Sequence, residues 1–358
     1  MKQPVKPAVV LSRTAVVAIT LGLSSAAFAA TSASAPLTFT AAWAQAQAKA
    51  PDILSATSNL AQAQADLTAA QADPTTLITA LTNAQNAVNL DKVNLQAAKI
   101  SVFSNLLTAY VNLYEAQQNL DLLQANVDLS QKNLDVAKAK LAAKAATSLD
   151  VAKAQNALAS SQQNLADARA QVPILSDRLS PLLGLGTAQN LSVAEPPSLS
   201  VKAVDLAALE AGLARNLSNV LQAQQSVEVA KLNVTLADND YTPAATLASA
   251  QTQLAAAQRS LQSATTNAVT SLRDSHRAYK NALQQQALKR QDRVNAEEAL
   301  TQAQARLKAG QISRVDLQTS QVNALQARYA ELQANDSVSK SLAALCSAAG
   351  QDLTGMVK

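Results

Sequence analysis

Lys140-Leu141-Ala142-Ala143-Lys144-Ala145-Ala146-Thr147-Ser148-Leu149-Asp150-Val151 returns 166 residues later as Arg306-Leu307-Lys308-Ala309-Gly310-Gln311-Ile312-Ser313-Arg314-Val315-Asp316-Leu317. The same offset aligns Leu81-Thr82-Asn83-Ala84-Gln85 with Leu247-Ala248-Ser249-Ala250-Gln251, and Leu134-Asp135-Val136-Ala137 with Leu300-Thr301-Gln302-Ala303. One register, held from about residue 40 to 155, implies a duplicated unit with fixed helix lengths, so that reach is what matters. Two repeats are fewer than a solenoid needs. The chain is therefore expected to complete itself by assembling with other chains.

Outward from that stretch, prolines and glycines mark the boundaries. Neither occurs from 75 to 172 or from 244 to 309, and these spans are filled with Ala, Leu, Gln and Lys, which favour helix. Leu106, Leu113, Leu120, Val127, Leu134 and Leu141 recur every seven residues, with Ala109, Ala116, Leu123, Ser130 and Ala137 three positions on. A second seam runs Val151, Leu158, Leu165, Val172, Leu179, beside Ala154, Ser161, Ala168, Leu175 and Leu182. Sustained sevenfold spacing predicts coiled-coil packing, and small residues let the backbones approach closely.

Each copy reads as a short helix, a turn, a very long helix, a second turn and a returning helix. The first repeat, 30–184, has helices at about 38–72, 76–143 and 148–184; the second, 203–350, has them at about 203–237, 244–308 and 313–350. A linker at 185–202, with Pro196-Pro197, joins the repeats, and a tail occupies 351–358. Asp73-Pro74 breaks the first pair of helices, since Pro ends one helix and fits the first turn of the next. The fold class expected is all-α: tandem-duplicated, long antiparallel coiled-coil hairpins. A helix over 76–143 would span roughly 100 Å, which suits a spacer better than a globular core. The middle of the second copy is less apolar, with Tyr279, Gln286 and Arg293 at heptad-equivalent positions, and Thr265-Thr266 and Val269-Thr270 lower its helix propensity.

Residues 1–29 read as an export leader: Lys2, Lys6 and Arg13, then an apolar stretch at 15–23, then Ala27-Phe28-Ala29 before cleavage at Ala30. The apolar stretch is too short to span a bilayer. The whole chain carries 29 basic and 25 acidic residues, so without the leader the balance is 26 to 25. Net charge near zero gives no footprint for nucleic acid or anionic lipid. The lone Cys346, among Ala343-Ala344-Leu345, reads as a small buried residue, and the lone His276 as an ordinary helix residue. Trp43 with Phe39 reads as a staple at the first helix start. No nucleotide loop, metal-ligand cluster or nucleophile–base pair is present, so neither a cofactor nor an enzyme is expected.

Pro36-Leu37-Thr38-Phe39-Thr40-Ala41-Ala42 followed by Ala50-Pro51-Asp52-Ile53, Leu182-Leu183-Gly184, and the 309–318 turn with Gly310 six residues before Asp316 occur here in a fixed order. In order, spacing and duplication they resemble the TolC family of outer-membrane efflux proteins, over nearly all of the mature chain. The resemblance implies a homotrimeric α-helical barrel in the periplasm, working with a periplasmic adaptor and an inner-membrane pump to export small molecules or proteins. It places the protein in the cell envelope, at the outer membrane or in the periplasm. One departure stands out. The family inserts two β-strands between the short and long helices of each half, and a spanning strand takes about 9–11 residues. Only 71–76 and 237–244 are available here, without alternation, and nine aromatic residues cannot build girdles at two interfaces. No barrel of its own is expected; the tube ends below the membrane or docks on a separate outer-membrane component.

The resemblance also implies sites. Asp316 falls on the acidic ring that narrows the family's entrance, with Asp150 its partner in the first copy. The competing reading is that each acid charges or caps the first turn of its returning helix. The tips Lys144, Ala145, Ala146, Thr147 and Ser148, with Gly310, Gln311, Ile312 and Ser313, are expected to meet the adaptor. Lys144 stands where a glycine is expected, so the first turn should differ from the second. Ile312, Thr319 and Leu307 replace other gate residues of the family, which argues against its hydrogen-bonded latch. Against a duct stands a non-conducting periplasmic coiled-coil spacer. An adaptor would need β-rich domains that the linker cannot supply, and an Ala-rich protein disordered when free would not need so regular a duplication.

Overall fold

The structure, a computed structural model, describes residues 36–186, 190–199, 201 and 204–357. The leader expected over 1–29 lies outside the described residues. The first half contains α1 (Phe39–Lys49), α2 (Pro51–Ala72), α3 (Ile78–Ala142) and α4 (Ser148–Leu179), closed by a single 3-10 turn at Ser180–Leu183. The second contains α5 (Leu206–Asn216), α6 (Ser218–Ala237), α7 (Ala244–Lys308) and α8 (Arg314–Ala349). Among the described residues the only strand-like feature is an isolated parallel bridge between Leu37 and Val193. The long helices α3 and α7 have 65 residues each, roughly 100 Å, and both their starts and their ends are 166 residues apart.

Each first helix of the sequence reading is two helices. Before Pro51, Ala50 is held extended (φ −64°, ψ 122°), because the proline ring crowds the preceding residue out of the helical region. The second break, at Leu217 (φ −109°, ψ 124°), has no proline. It lies instead where the left-handed Gly350, which ends α8, presses on the Asn216 carbonyl. A Cβ there would stand 2.2 Å from that oxygen. Residues 351–357 fold back over α1 and the end of α5: the Trp43 indole donates to the Met356 carbonyl at 3.0 Å, and Asn216 to Gln351 at 3.1 Å.

Packing runs in one direction. α3 packs on α2 and α4 as hairpin partners and on α6 and α8 of the other half, while α7 packs on α6 and α8. The order is therefore α4–α3–α8–α7 along the returning hairpins and α2–α3–α6–α7 along the other half of their length. Two hairpin pairs lie side by side as a wall one helix thick. The polar middle of α7 is accommodated across α8: Gln286 bonds Asn335 at 2.9 Å, and Arg293 is paired with both Glu331 and Glu297. Ala268, Leu272, Tyr279 and Ala282 are buried, so tertiary packing outweighs the weak propensity of the threonine-rich stretch.

The hydrophobic core sits where α1, α3, α5, α8 and the linker meet. Phe39 stands edge-on to Phe103 and Tyr110, and Trp43 edge-on to Phe103, with ring centroids 5.3–5.6 Å apart. The staple expected within α1 is thus a long-range contact with α3. The reason is size: rings this large bury more area against a neighbouring helix than along their own. The linker is strapped down by α3. The Tyr110 hydroxyl lies 2.7 Å from the Leu37 carbonyl and 2.8 Å from that of Ala194, and Gln117 bonds both Leu191 and Val193. Along the first seam Leu106, Leu113 and Leu134 are buried, and Ser130 and Ser161 touch at 2.9 Å across α3 and α4. Leu141 is 38% exposed, so the seam opens towards the tip.

Candidate functional site

The two turns that join α3 to α4 and α7 to α8 are the same structure. After Ala142 the chain passes Ala143 and enters the left-handed region at Lys144, φ 58°; after Lys308 it passes Ala309 and enters it at Gly310, φ 69°. In the first turn Lys144 N–H donates to Leu141 and Ala145 N–H to Lys140, at 2.9 and 2.7 Å. In the second, Gly310 donates to Leu307 and Gln311 to Arg306, both at 2.9 Å. These paired bonds satisfy the orphan carbonyls at the helix end as a Schellman cap. The turn expected to differ at Lys144 does not differ, because the caps on either side hold the backbone and the lysine accepts the strain.

Each returning helix then starts with a reciprocal capping box. Asp150 Oδ2 accepts from Thr147 N–H and Oγ at 2.8 Å each, and Asp150 N–H donates back to Thr147 Oγ at 3.2 Å. Asp316 Oδ2 accepts from Ser313 N–H at 2.9 Å and Oγ at 2.8 Å, and Asp316 N–H donates back at 3.1 Å. Both carboxyls are held below the usual range, first by the backbone N–H bonds of Thr147 and Ser313. Both are exposed. Capping accounts for one oxygen of each acid; both bonds fall on Oδ2. The structure thus brings Lys144, Ala145, Ala146, Thr147 and Ser148 together in one tip and Gly310, Gln311, Ile312 and Ser313 in the other, with Ile312 half-buried.

The tips are cationic in sequence neighbourhood: Lys138, Lys140, Lys144 and Lys153 flank one, Arg306, Lys308 and Arg314 the other. Cys346 is buried, and burial pushes its thiol up to about 11, which removes it from thiolate chemistry. Among the described residues no three His, Cys, Asp or Glu side chains gather as metal ligands would.

Sequence reasoning missed a polar cluster at mid-height between the repeats. A cleft of about 570 Å³ is lined by Tyr114, Glu195, Arg293, Arg328, Tyr329 and Glu331, among others. Beside Tyr114 and Tyr329, Asp336 is 2% exposed in α8 and faces Glu115 of α3. The available signal was the repeat itself, since the offset of 166 puts Ala170 at the position of Asp336 and Ile174 at that of Lys340.

A tandem pair of long helical hairpins, laid side by side with capped tips at one end, defines the class: an all-α wall-forming protomer of the helical-barrel kind. Residues 75–185 match the family described as outer membrane efflux protein. Among solved structures the fold is similar to VceC of Vibrio cholerae, at 15% identity and TM-score 0.62, covering 87% of this chain and 96% of that one. It is similar too to the outer membrane channels CmeC of Campylobacter jejuni (15% identity, TM-score 0.60, 88% and 87% covered) and MtrE of Neisseria gonorrhoeae (15%, 0.59, 88% and 89%). A comparison with curated proteins finds no match. The TolC-family resemblance read from the sequence is supported by both positive comparisons, the second of which speaks for the fold. The helical part is retained, while turns of five and six residues, 73–77 and 238–243, stand between the short and long helices.

Proposed function

We propose that three copies of this chain close into the wall of an efflux duct in the cell envelope, with no enzymatic role. The observation that carries the reading is the one-layer order α4–α3–α8–α7, whose end helices each lack a neighbour on one flank among the described residues. Such a wall buries its outer seams only by meeting α7 of one copy with α4 and α2 of the next. The likeness to outer-membrane channels and the efflux-family match over 75–185 support the same assignment. The tips at 144–148 and 310–313 then meet a periplasmic adaptor, which links the duct to an inner-membrane pump. Three Asp316 side chains line the mouth, where Oδ1, outside the capping box, is available to attract cations. Exported small molecules or proteins pass along the axis. The opposite end, without barrel strands in the 73–77 and 238–243 turns, rests against a separate outer-membrane component.

Electron microscopy of the purified mature protein is the test. End views should show rings with a central hole. Solid rods, or a stable monomer in solution, would defeat the duct and favour the second reading, a non-conducting periplasmic spacer. That reading draws on the same short turns. Single-channel recordings of Asp316→Ala separate the mouth from the duct: unchanged cation selectivity removes the ring assignment and leaves the tube.

A further inference from the structure

Asp336 is a carboxylic acid in a place where a lone carboxylate does not survive. It lies on α8, at the seam where the last helix of the second repeat packs on α3 of the first, and is 2% exposed. Its Oδ2 has no hydrogen-bond partner. Across the seam it faces the Glu115 carboxyl, and neither acid can bond the other while both are ionised. Two carboxylates offer only acceptors, so a bond between them requires one proton, held by the pair. One turn further along α8, the Lys340 ammonium donates to Asn112 at 2.9 Å and stands 3.5 Å from Glu115 Oε1. Lys340 thus stands on the Glu115 side of the pair, and the buried Asp336 is the member that holds the proton.

The remaining charged and titratable neighbours do not offer Asp336 a cation of its own. From α3 come Tyr114 and Glu115, from α8 Tyr329 and Lys340, and all four interact with this group or with each other. Glu195 of the linker and Arg328 act on Tyr114. Arg293 of α7 is committed to Glu331 and Glu297. Burial comes first among the causes that push Asp336 up to about 8, followed by the bond and the charge of Glu115, with Lys340 opposing.

We propose that Asp336 and Glu115 form a proton-binding clasp across the α3–α8 seam, so that parting the two repeats releases a proton. In the closed seam the Asp336 O–H donates to Glu115. When α8 moves away from α3, water reaches both groups, the O–H bond breaks, its electron pair stays on Asp336, and the proton passes to water. Linkage sets the direction. The closed seam binds the proton more tightly than the open one, so rising pH favours opening, between the ordinary aspartate range and about 8. Within that window the opening equilibrium gains up to about tenfold per pH unit. The clasp holds whether or not the assembly conducts, since it depends only on the contact between α3 and α8.

The experiment pairs infrared titration with amide exchange on the full mature chain. The wild-type protein should show a protonated-carboxyl band at pH 6 that fades as the pH passes about 8. Asp336→Asn should lack the band, and Glu115→Gln should lose it at lower pH. Amide protection along 332–342, taken as the ratio of wild type to Asp336→Asn, should fall as pH rises. Absence of the band at pH 6, or its persistence unchanged in Asp336→Asn, overturns the clasp. So does a protection ratio that is flat with pH. If Asp336→Asn fails to fold, as circular dichroism would report, the wild-type and Glu115→Gln titrations still decide.

Discussion

Lys144 carries the strain of a left-handed residue without the freedom of a glycine. That conformation costs a side-chain-bearing residue about 1–2 kcal/mol, whereas glycine gives back about 0.5–1 kcal/mol in unfolded-chain entropy. Lys144→Gly is therefore expected to stabilise the protein by about 0.5–1 kcal/mol, seen as a higher Tm. Gly310→Ala should cost about the same in the other direction, because a Cβ there meets nothing within 4 Å and only φ is strained. A lower Tm for Lys144→Gly would mean that the lysine side chain contributes more than the turn demands. The acids of the capping boxes make the tips acid-sensitive. Their folded-state values are depressed, so their contribution is full above about pH 4, the unfolded aspartate value, and is lost as pH falls through the lower folded one. Amide exchange at 148–152 and 314–318 should accelerate first on acidification. Asp150→Asn and Asp316→Asn should abolish that dependence each at its own tip. The sequence already put an acid three residues after Thr147 and Ser313, so the capping boxes were legible. That Lys144 would adopt the glycine conformation was not, because a residue's identity does not disclose how strongly its neighbours hold the backbone.

At the scale of elements, the long helices were readable from heptads and from the absence of Pro and Gly, since those properties are local to one helix. Pairings between helices are not local. Arg293 looked like a defect in an apolar seam until α8 brought Glu331 to it, 38 residues on in the chain. Phe39 and Trp43 looked like a staple because their true partner, Phe103, lies 64 and 60 residues further along the chain. Tyr110 joins three segments that sequence alone does not connect: α3, the strand-like residue Leu37 and the linker at Ala194. Burial pushes its hydroxyl up to about 12, so it remains a donor at any ordinary pH. Tyr110→Phe keeps the ring contacts with Phe39 and removes the one O–H that two carbonyls share, of which Leu37 keeps the Ala194 N–H at 2.9 Å. A loss of about 1–3 kcal/mol is expected, because the Ala194 carbonyl loses its donor. Chemical denaturation would measure it, and the linker should become the first segment cut by protease. An unchanged unfolding midpoint would show that water replaces the hydroxyl at both oxygens.

For the molecule as a whole, exposed area argues for assembly. The chain exposes 22369 Å². Setting aside the most that residues 1–35 could expose, about 5,000 Å², leaves about 17,000 Å², against about 12,700 Å² for a compact monomer of the remaining mass. The excess, about 4,500 Å², is larger than two ordinary interfaces at about 800 Å² each per partner, with surface left over for a lumen. Charge divides along the length. Asp66, Asp73, Asp238 and Asp240 surround the turns between short and long helices, with no Lys or Arg from 232 to 258 or from 60 to 91, whereas the tips at the far end of α3 and α7 are basic. Net charge near zero concealed this polarity, which appears only once the fold sets the two turns of each kind side by side. The two end helices carry exposed apolar residues, which closure is expected to cover. Leu288 and Val294 on α7 are 58% and 43% exposed, and Ile174 on α4 is 51% exposed. Burying a charge at such a seam without a partner costs several kcal/mol, more than a flank contact of this size offsets. Leu288→Glu combined with Ile174→Glu should therefore convert the proposed trimer to monomers in sedimentation velocity while leaving helical circular dichroism unchanged, since both side chains are exposed in the single chain. The proposed wild-type assembly should resist high salt, because an apolar closure is little screened by ions. A double variant that remains trimeric would place the seam on other faces of α4 and α7.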